Sequence, residues 1–376
     1  MNRGLKGVGK AVRVGPYIVK QVIYRAALAI VAALAMASSI AGTLAPCAGA
    51  ADARLLEITF IDVGQGDSIL IKSPDGRFML IDAGEYKNVG AVMGALRDEG
   101  VARLDYIVAT HPHSDHIGGL SKVIESVPVN AVYDIGRTHT TSSYRYYLEA
   151  VRKSPAKFYL ARPGVTFKLG ASVALSFLWP HDKMPSDLND SSAMLLLRYL
   201  DFDALLPADT GIEQELEIVK AGRVPEVELY KVSHHGSRHS NSREMLAAAS
   251  PKIAVIQVGA GNDYGYPQAA ALDKIKAAGA QIFRTDKDGT VKVTSDGTNW
   301  WVSTENGRSL KGDTRGSIGA DSQSALRTLV GSVNSTVFHF SGCESVAGIS
   351  KANLVTYQDR EEAIAKGKRP CKICNP

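Results

Sequence analysis

The chain has 376 residues, 45% of them hydrophobic, which is enough for a large core in two or three units. Its formal charge of +5 arises from residues 1–50, which hold six basic residues and no acidic one, so the remainder carries a net charge of −1. The sequence therefore excludes a global basic field that would steer nucleic acid, and it has no set of apolar runs for a multi-span membrane channel.

The first fifty residues have the pattern of an export signal. A basic opening precedes an apolar stretch from Ala26 to Ala45, and Ala48-Gly49-Ala50 forms a small-x-small cleavage pattern. An uncleaved membrane anchor is the alternative, because about 20 apolar residues can span a bilayer. A lipoprotein would need Cys47, but Pro46 precedes it where a small residue is usual. We therefore predict a secreted or periplasmic protein that contacts membrane only through an uncleaved signal.

Apolar runs and helical patterns then follow one another as in an α/β protein. Runs bounded by turn residues predict strands, and longer stretches with helical spacing predict helices. The predicted strands are Leu55–Asp62, Asp67–Ser73, Phe78–Asp82, Leu104–Thr110, Val173–Leu178, Ala193–Leu200, Ala204–Leu206, Val227–Val232 and Ile253–Val258, and the predicted helices include Val89–Glu99 and Gly119–Ser126.

Three imidazoles and a carboxylate fall within six residues directly after one of these strands. They belong to His111, His113, Asp115 and His116, and Gly118-Gly119 then allows a tight turn into a helix. Imidazole and carboxylate together suit Zn or Mn rather than Ca. Packing alone has no use for such a cluster, so the sequence predicts a site for two metal ions and hence a hydrolase.

The same residues are the signature of the metallo-β-lactamase superfamily, and further motifs in register make the chain resemble its ComEC-type branch, the hydrolase domain of competence proteins. Order and spacing agree from about Leu55 to Thr304. The resemblance implies an αββα sandwich over residues 55–304, as a free-standing relative of that domain. The motifs are Asp62–Asp67, Leu80–Gly84, the histidine cluster, Leu205–Asp209, Lys231–Ser237, Asn262–Pro267 and Arg284–Gly289.

The resemblance also implies a set of metal ligands in which Asp209 bridges the two ions. His235 would complete the second site, with His234 as its neighbour or as a substrate contact, although the sequence alone allows these two histidines to exchange roles. The remaining ligands would be His111 and His113 for the first ion, and Asp115 and His116 for the second.

One ligand of the superfamily is missing. Most members have a third histidine where this chain has Asn189, which would act as a weak ligand or leave a place for water. His181 is the competing candidate. An under-liganded first site would favour Mn over Zn. Tyr266 is a second departure, because relatives usually have a histidine there, and it implies altered substrate contact or leaving-group protonation.

Other polar residues have supporting roles in this interpretation. Ser237, Ser240 and Asn262 could donate hydrogen bonds to phosphate oxygens, and turn capping is the equal alternative for each. The early aspartates are predicted to hold loops beneath the metals by hydrogen bonding; they are Asp62, Asp67 and Asp82.

The implied chemistry is hydrolysis by water that two cations activate, with Asp115, Asp209 and His234 as the catalytic residues. Paired metals clamp both the attacking and the leaving oxygen, which favours a phosphodiester, and the link of the branch to DNA favours a nuclease. The alternatives are a cell-envelope polymer, a nucleotide, a lactam or lactone as substrate, and a non-catalytic DNA-binding protein. No obligate protein partner is indicated.

The end of the chain carries a second set of ligands. Residues 305–335 are rich in Gly, Ser, Thr, Asp and Arg and predict a linker. Residues 336–376 resemble the metal-binding domain of the Ada DNA-repair protein, with a histidine in place of the first cysteine. The predicted ligands of one structural Zn are His339, Cys343, Cys371 and Cys374. A disulfide between Cys371 and Cys374 is the alternative.

Overall fold

The computed structural model describes residues 55–315, 318–319, 329–340, 344–346, 348–350, 353–357 and 360–371. The predicted export signal over residues 1–50, and the tail residues Cys343 and Cys374, lie outside these described residues. None of the helices in the described ranges combines the length and the apolar character that a bilayer crossing requires.

Ten strands, numbered along the chain, form the first sheet. They are β1 (Leu56–Phe60), β2 (Ile69–Lys72), β3 (Phe78–Ile81), β4 (Leu104–Ala109), β5 (Val129–Asp134), β6 (Lys157–Leu160), β14 (Val291–Ser295), β15 (Asn299–Thr304), β16 (Ser309–Asp313) and β17 (Ile318–Gly319). Their order is β17-β16-β15-β14-β1-β2-β3-β4-β5-β6. The strands from β3 to β6 are parallel, and the remaining pairs are antiparallel.

Seven strands form the second sheet, in the order β13-β12-β11-β10-β9-β8-β7. They are β7 (Thr166–Leu169), β8 (Val173–Trp179), β9 (Met194–Tyr199), β10 (Phe202–Leu206), β11 (Leu229–Lys231), β12 (Ile253–Ile256) and β13 (Gln281–Arg284). The strands from β10 to β13 are parallel. Each sheet thus contains a parallel half whose strands end on one edge.

Helices cover the outer face of each sheet. Those on the first sheet are α1 (Val89–Asp98), α2 (Ser114–Ile117), α3 (Leu120–Ser126) and α4 (Ser142–Lys153), and those of the second half of the chain are α5 (Ile212–Lys220), α6 (Arg243–Ala249), α7 (Ala269–Ala277) and α8 (Thr285–Asp288). Short 3₁₀ turns occupy Tyr86–Asn88, Asn189–Ser191 and Ser233–Gly236.

Three apolar clusters show how the layers pack. One lies between the two sheets, one joins the first sheet to its helices, and one joins the second sheet to its helices. Phe60, Phe177 and Trp300 are almost fully buried in the cluster between the sheets, and burial of each such side chain contributes about 1.5–3 kcal/mol. This four-layer arrangement confirms the predicted αββα sandwich.

The predicted strands all form, but the predicted linker is not free of regular structure. Strands β16 and β17 extend the first sheet beyond Thr304, where the sequence placed the end of the domain. Residues 305–335 were predicted as a linker because they are rich in small and polar residues. Pairing with the exposed edge of β15 explains the difference, because backbone hydrogen bonds place little demand on side-chain composition.

A third, four-stranded sheet follows near the end of the chain, with the order β20-β18-β19-β21. Its strands are β18 (Leu329–Ser332), β19 (Val337–Phe340), β20 (Leu354–Tyr357) and β21 (Arg369–Pro370), accompanied by a 3₁₀ turn at Glu344–Val346 and by α9 (Arg360–Ala365). Its apolar cluster contains only Phe338, Tyr357 and Ala363 as buried members among the described residues.

Replacing Phe177 with alanine should open a cavity between the two sheets. We expect Phe177→Ala to lower the free energy of unfolding by about 3–5 kcal/mol, measured by chemical denaturation. Phe158→Ala is the matched control, because Phe158 on edge strand β6 is 45% exposed, and we expect a clearly smaller loss there. Equal losses in the two variants would contradict the assignment of the main core to the space between the sheets.

Candidate metal centre

The predicted ligands lie where strands of both sheets end. In the first sheet, Asp82 follows β3 and His111 follows β4, and in the second sheet Asp209 follows β10 and His235 follows β11. Because each of these neighbouring pairs is parallel, their carboxyl ends meet at one edge. The centre is therefore assembled half from one sheet and half from the other.

Three histidines of the cluster are each held by their Nδ1 atom. This leaves Nε2 free to face the interior of the site and fixes the plane of each ring. The partners of Nδ1 are Ser192 Oγ for His111 at 3.1 Å, Asp82 Oδ2 for His116 at 2.8 Å, and the carbonyl oxygen of Gln257 for His235 at 2.9 Å.

The Nε2 atoms of the same histidines face the carboxylate of Asp209. Its Oδ2 atom lies 3.3 Å from His116, 3.5 Å from His235 and 4.0 Å from His111. Asp115 Oδ2 lies 3.3 Å from His235 Nε2 and 3.9 Å from His116 Nε2. The structure thus brings together predicted ligands of both ions around one carboxylate.

The unsatisfied atoms of this cluster are those that a metal would take. Within the described part of the chain, Nε2 of His116, Nε2 of His235 and Oδ1 of Asp209 are buried and make no hydrogen bond. Each such atom costs about 1–3 kcal/mol when left without a partner. His113 adds a further imidazole to the cluster, since its Nδ1 lies 3.0 Å from His111 Nε2. Imidazole nitrogens and carboxylate oxygens suit Zn or Mn, so the residues fit divalent cations.

The charges in the cluster also favour added cations. Burial raises the pKa of Asp209, but positive charge on His116 and His235 outweighs it and holds that pKa well below its usual value. Burial lowers the pKa of His235, yet the carboxylate of Asp209 and the nearby carboxylates of Asp115 and Asp67 raise it to about 10. Ionised carboxylates therefore favour protonated rings at His116 and His235, where divalent cations can replace the protons.

The structure separates the two adjacent histidines by a turn rather than by strand alternation. His234 and His235 lie in the turn Ser233–Gly236, and both have positive φ, 50° and 52°, at a cost on the order of 1–3 kcal/mol each. His235 is buried in the cluster. The side chain of His234 is 21% exposed, with Nε2 4.0 Å from Asp209 Oδ2 and 3.3 Å from the hydroxyl of Tyr266.

The early aspartates hold protein groups, as predicted. Asp62 Oδ1 accepts the backbone N–H of Gly64 at 3.0 Å, and Asp82 accepts the backbone N–H of Thr110 at 2.9 Å as well as bonding His116. Asp67 is paired with a buried lysine described below. These carboxylates orient the loops and rings of the centre.

Lys231 belongs to the site, although the sequence motif that contains it did not indicate a role for this side chain. Its side chain is 1% exposed, and Nζ lies 2.6 Å from Asp67 Oδ2 and 4.0 Å from Asp209 Oδ1. Nζ also donates to the carbonyl oxygens of Ala208 and Val232. A lysine at the end of an apolar strand was the available signal, because a buried ammonium requires a carboxylate partner.

The two candidates for the missing ligand occupy different environments. Asn189 lies in the turn that leads to Ser192, and its Oδ1 atom is buried without a hydrogen-bond partner among the described residues. The imidazole of His181 is 41% exposed and lies 3.4 Å from Glu217. The surface position of His181 is the ordinary one for a loop histidine, so Asn189 remains the prediction.

The predicted phosphate contacts Asn262 and Ser237 are used inside their loops. Asn262 Nδ2 donates to the carbonyl oxygens of Gly259 and Tyr266, which uses both amide protons. Ser237 is buried, and its Oγ accepts the backbone N–H of His239. This geometry is that of turn capping, the alternative to substrate donation for Asn262.

Two of the predicted tail ligands lie side by side. Parallel pairing of β19 with β21 puts Phe338 opposite Pro370, and the next residues along are His339 and Cys371. Both are buried, and Nδ1 of His339 makes no hydrogen bond within the described residues. The other two predicted ligands, Cys343 and Cys374, lie outside the described residues, so the structural Zn stays a prediction.

Changing Asp82 to asparagine should weaken metal binding without removing any residue predicted to bind it. The new amide N–H₂ would face Nδ1 of His116, so the ring would have to carry its proton on Nε2 and could no longer offer that atom. We expect Asp82→Asn to reduce affinity for Zn or Mn by about 10- to 100-fold, measured by isothermal titration calorimetry. Asp62→Asn is the matched control, because an amide oxygen can still accept from Gly64; a similar reduction there would contradict this role.

Removing the charge of Lys231 should leave the buried carboxylate of Asp67 without its nearest cation. We expect Lys231→Met to lower the free energy of unfolding by about 3–5 kcal/mol in EDTA, measured by chemical denaturation. Lys72→Met is the control, because Lys72 pairs with Glu57 while one third exposed, and such pairs contribute at most about 1 kcal/mol. A loss no larger than that of the control would show that the buried pair is not required for stability.

Comparison with known proteins places this centre in a family. Residues 61–259, more than half of the chain, match the Metallo-beta-lactamase superfamily. The chain is 25% identical over 253 residues to ComE operon protein 3 of Bacillus subtilis, covering 63% of this chain and 32% of that protein. It is 29% identical over 237 residues to Competence protein ComA of Neisseria gonorrhoeae, covering 62% and 32%.

The chain therefore spans about a third of the length of these curated relatives. Among solved structures, the metallo-beta-lactamase fold protein YhfI from Bacillus subtilis matches with a TM-score of 0.42 at 13% identity, covering 61% of this chain and 96% of that one. The matched range contains the histidine cluster, Asp209 and the His234-His235 pair, and the predicted family resemblance is confirmed. The chain belongs to the metallo-β-lactamase superfamily, and within it is similar to competence proteins.

Proposed function

We propose that this chain is a binuclear metallohydrolase that cleaves phosphodiester bonds in DNA. The observation that carries the proposal is the convergence of buried, unsatisfied imidazole nitrogens on the carboxylate of Asp209. Such a donor set has no role in packing, and it suits paired divalent cations, Zn or Mn.

Six side chains would hold the two ions. When bound, the cations supply Lewis acidity, which activates water near neutral pH and offsets the charge of a phosphate group. Asp209 is shared between the two sets, and the replacement of a histidine by Asn189 favours Mn in the first. The sets are His111, His113 and Asp209 for the first ion, and Asp115, His116, His235 and Asp209 for the second.

His234 is the residue of the centre that faces the substrate. Burial lowers its pKa, although the Asp209 carboxylate acts in the opposite direction, so the imidazole is neutral at neutral pH. A neutral ring can donate a hydrogen bond to a phosphate oxygen. The hydroxyl of Tyr266, 3.3 Å from His234 Nε2, orients the ring.

The names of the relatives support DNA as the substrate, since the chain is similar to competence proteins and to Recombination protein 2 of Haemophilus influenzae, with which it shares 25% identity. One observation favours a second candidate. The net charge of −1 after residue 50 provides no general attraction for a polyanion. A nucleotide or a cell-envelope phosphodiester is therefore the alternative substrate for the same catalyst.

We further propose that the protein works outside the cytoplasm. The basic and apolar pattern of residues 1–50 supports an export signal, with an uncleaved anchor as the alternative. Competence relatives are consistent with a site at the cell envelope.

The predicted tail zinc would add folding free energy to a module with a small core.

Removing the shared carboxylate should abolish both metal binding and hydrolysis. We expect Asp209→Ala to reduce cleavage by more than the roughly 10- to 100-fold loss typical of residues that only orient a ligand. The assay uses the chain from Ala51, loaded with Mn or Zn, on single-stranded DNA, double-stranded DNA and a small phosphodiester, with metal content measured in parallel. Asp98→Ala, which removes an exposed surface carboxylate, is the control.

Full activity and full metal content in Asp209→Ala would contradict the mechanism. Cleavage of the small phosphodiester without cleavage of DNA would support the second candidate instead.

A further inference from the structure

Two tyrosines form a short stack beside the metal centre. The rings of Tyr264 and Tyr266 lie 5.6 Å apart and only 12° from parallel. Tyr266 is partly buried and packs on His234, with ring centroids 5.5 Å apart. Tyr264, in contrast, is 64% exposed. The outer ring therefore has one face supported by protein and the rest open to solvent, one ring removed from the residue that faces the substrate.

The loop that carries the stack is held rigidly. Asn262 Oδ1 accepts the backbone N–H groups of Tyr264 and Tyr266 at 3.2 Å and 3.0 Å, while Nδ2 bonds the loop from inside. The loop also lies against the turn Ser233–Gly236. The contact is close, because a Cβ added at Gly236 would fall only 2.5 Å from Cβ of Pro267. A large aromatic ring is thus kept exposed on a loop whose backbone is held in place, and the ring contributes nothing to the apolar core.

We propose that Tyr264 is a base-stacking residue that makes the centre selective for single-stranded nucleic acid. This inference rests on the proposed function and names its preferred substrate. Every nucleobase has a flat π-face, and stacking on an aromatic side chain contributes to the binding of single strands without sequence preference. Because Tyr264 is already stacked on Tyr266, little ring freedom is lost when a base is added on its open face.

Duplex DNA cannot use this platform without first being opened. Its bases are already stacked and paired, and exposing one costs a few kcal/mol. A single strand has its bases available. Stacking on Tyr264 would also provide affinity for nucleic acid where the net charge after residue 50 does not, because stacking binds the base rather than the phosphate. The ring stack then leads from a bound base to His234 and the metal cluster.

The test compares a normal single strand with the same strand carrying stable tetrahydrofuran abasic sites. The phosphates and the chain length are identical, so the two differ only in stacking. Binding is measured by fluorescence anisotropy in a stopped-flow instrument before cleavage occurs, with the metal-loaded full chain. We expect the native protein to bind the abasic strand about tenfold more weakly, within the roughly 5- to 150-fold that base stacking provides.

The variants separate stacking from other roles. Tyr264→Ala should reduce the ratio of the two Kd values to near one, by weakening binding of the normal strand, and Tyr264→Phe should keep the native ratio. Tyr146→Ala removes another exposed tyrosine, on α4, and should keep the native ratio too. A ratio near one in the native protein, or an unchanged ratio in Tyr264→Ala, would overturn the proposal. An equal loss on duplex DNA would overturn it as well.

Cleavage is followed separately with the same strands. Hydrolysis of both strands combined with a Kd ratio near one would contradict the stacking role and leave the proposed function intact. The expected Kd ratio without any hydrolysis would contradict the proposed function and keep Tyr264 as a binding residue.

Discussion

The carboxylate of Asp209 imposes the constraint that organises the rest of the domain. It is buried, ionised and surrounded by imidazoles from two different sheets. A buried negative charge is tolerated only with compensating charge nearby. The fold meets this demand by ending parallel strands of both sheets at one edge and by placing Lys231 4.0 Å from Asp209 Oδ1. It also bonds Nδ1 of His111, His116 and His235, so that Nε2 of each faces inward.

Backbone strain gathers at the same place. Of the seven non-glycine residues with positive φ in the described ranges, four lie in the centre: Asp82, Ala208, His234 and His235. Each costs free energy that the surrounding packing must offset. Gly66 shows how tight that packing is, since a Cβ there would fall 2.1 Å from the carbonyl oxygen of Asp115. Strain of this kind persists where the precise direction of a side chain matters more than local stability.

The sequence predicted the sandwich and the cluster because both depend on local signals. Apolar runs mark the strands, and a group of ligands such as His111 to His116 has few other uses. It could not rank His234 against His235, because that choice depends on two consecutive positive φ values rather than on strand alternation. Nor could it find Gln257 or Ser192, whose contacts span long separations. It also could not show that Asn262 caps its own loop, because hydrogen bonds within a loop leave no pattern in composition.

Contributions from two sheets to one centre carry a thermodynamic consequence. His111, Asp115 and His116 follow a strand of the first sheet, and Asp209 and His235 follow strands of the second. Bound ions would therefore link the two sheets. Any ligand that binds only the folded state raises its stability, by about 2.7 kcal/mol when its free concentration is a hundred times its Kd. With the export proposed above, the supply of divalent metal outside the cytoplasm would set both the rate of the proposed hydrolysis and the lifetime of the folded chain.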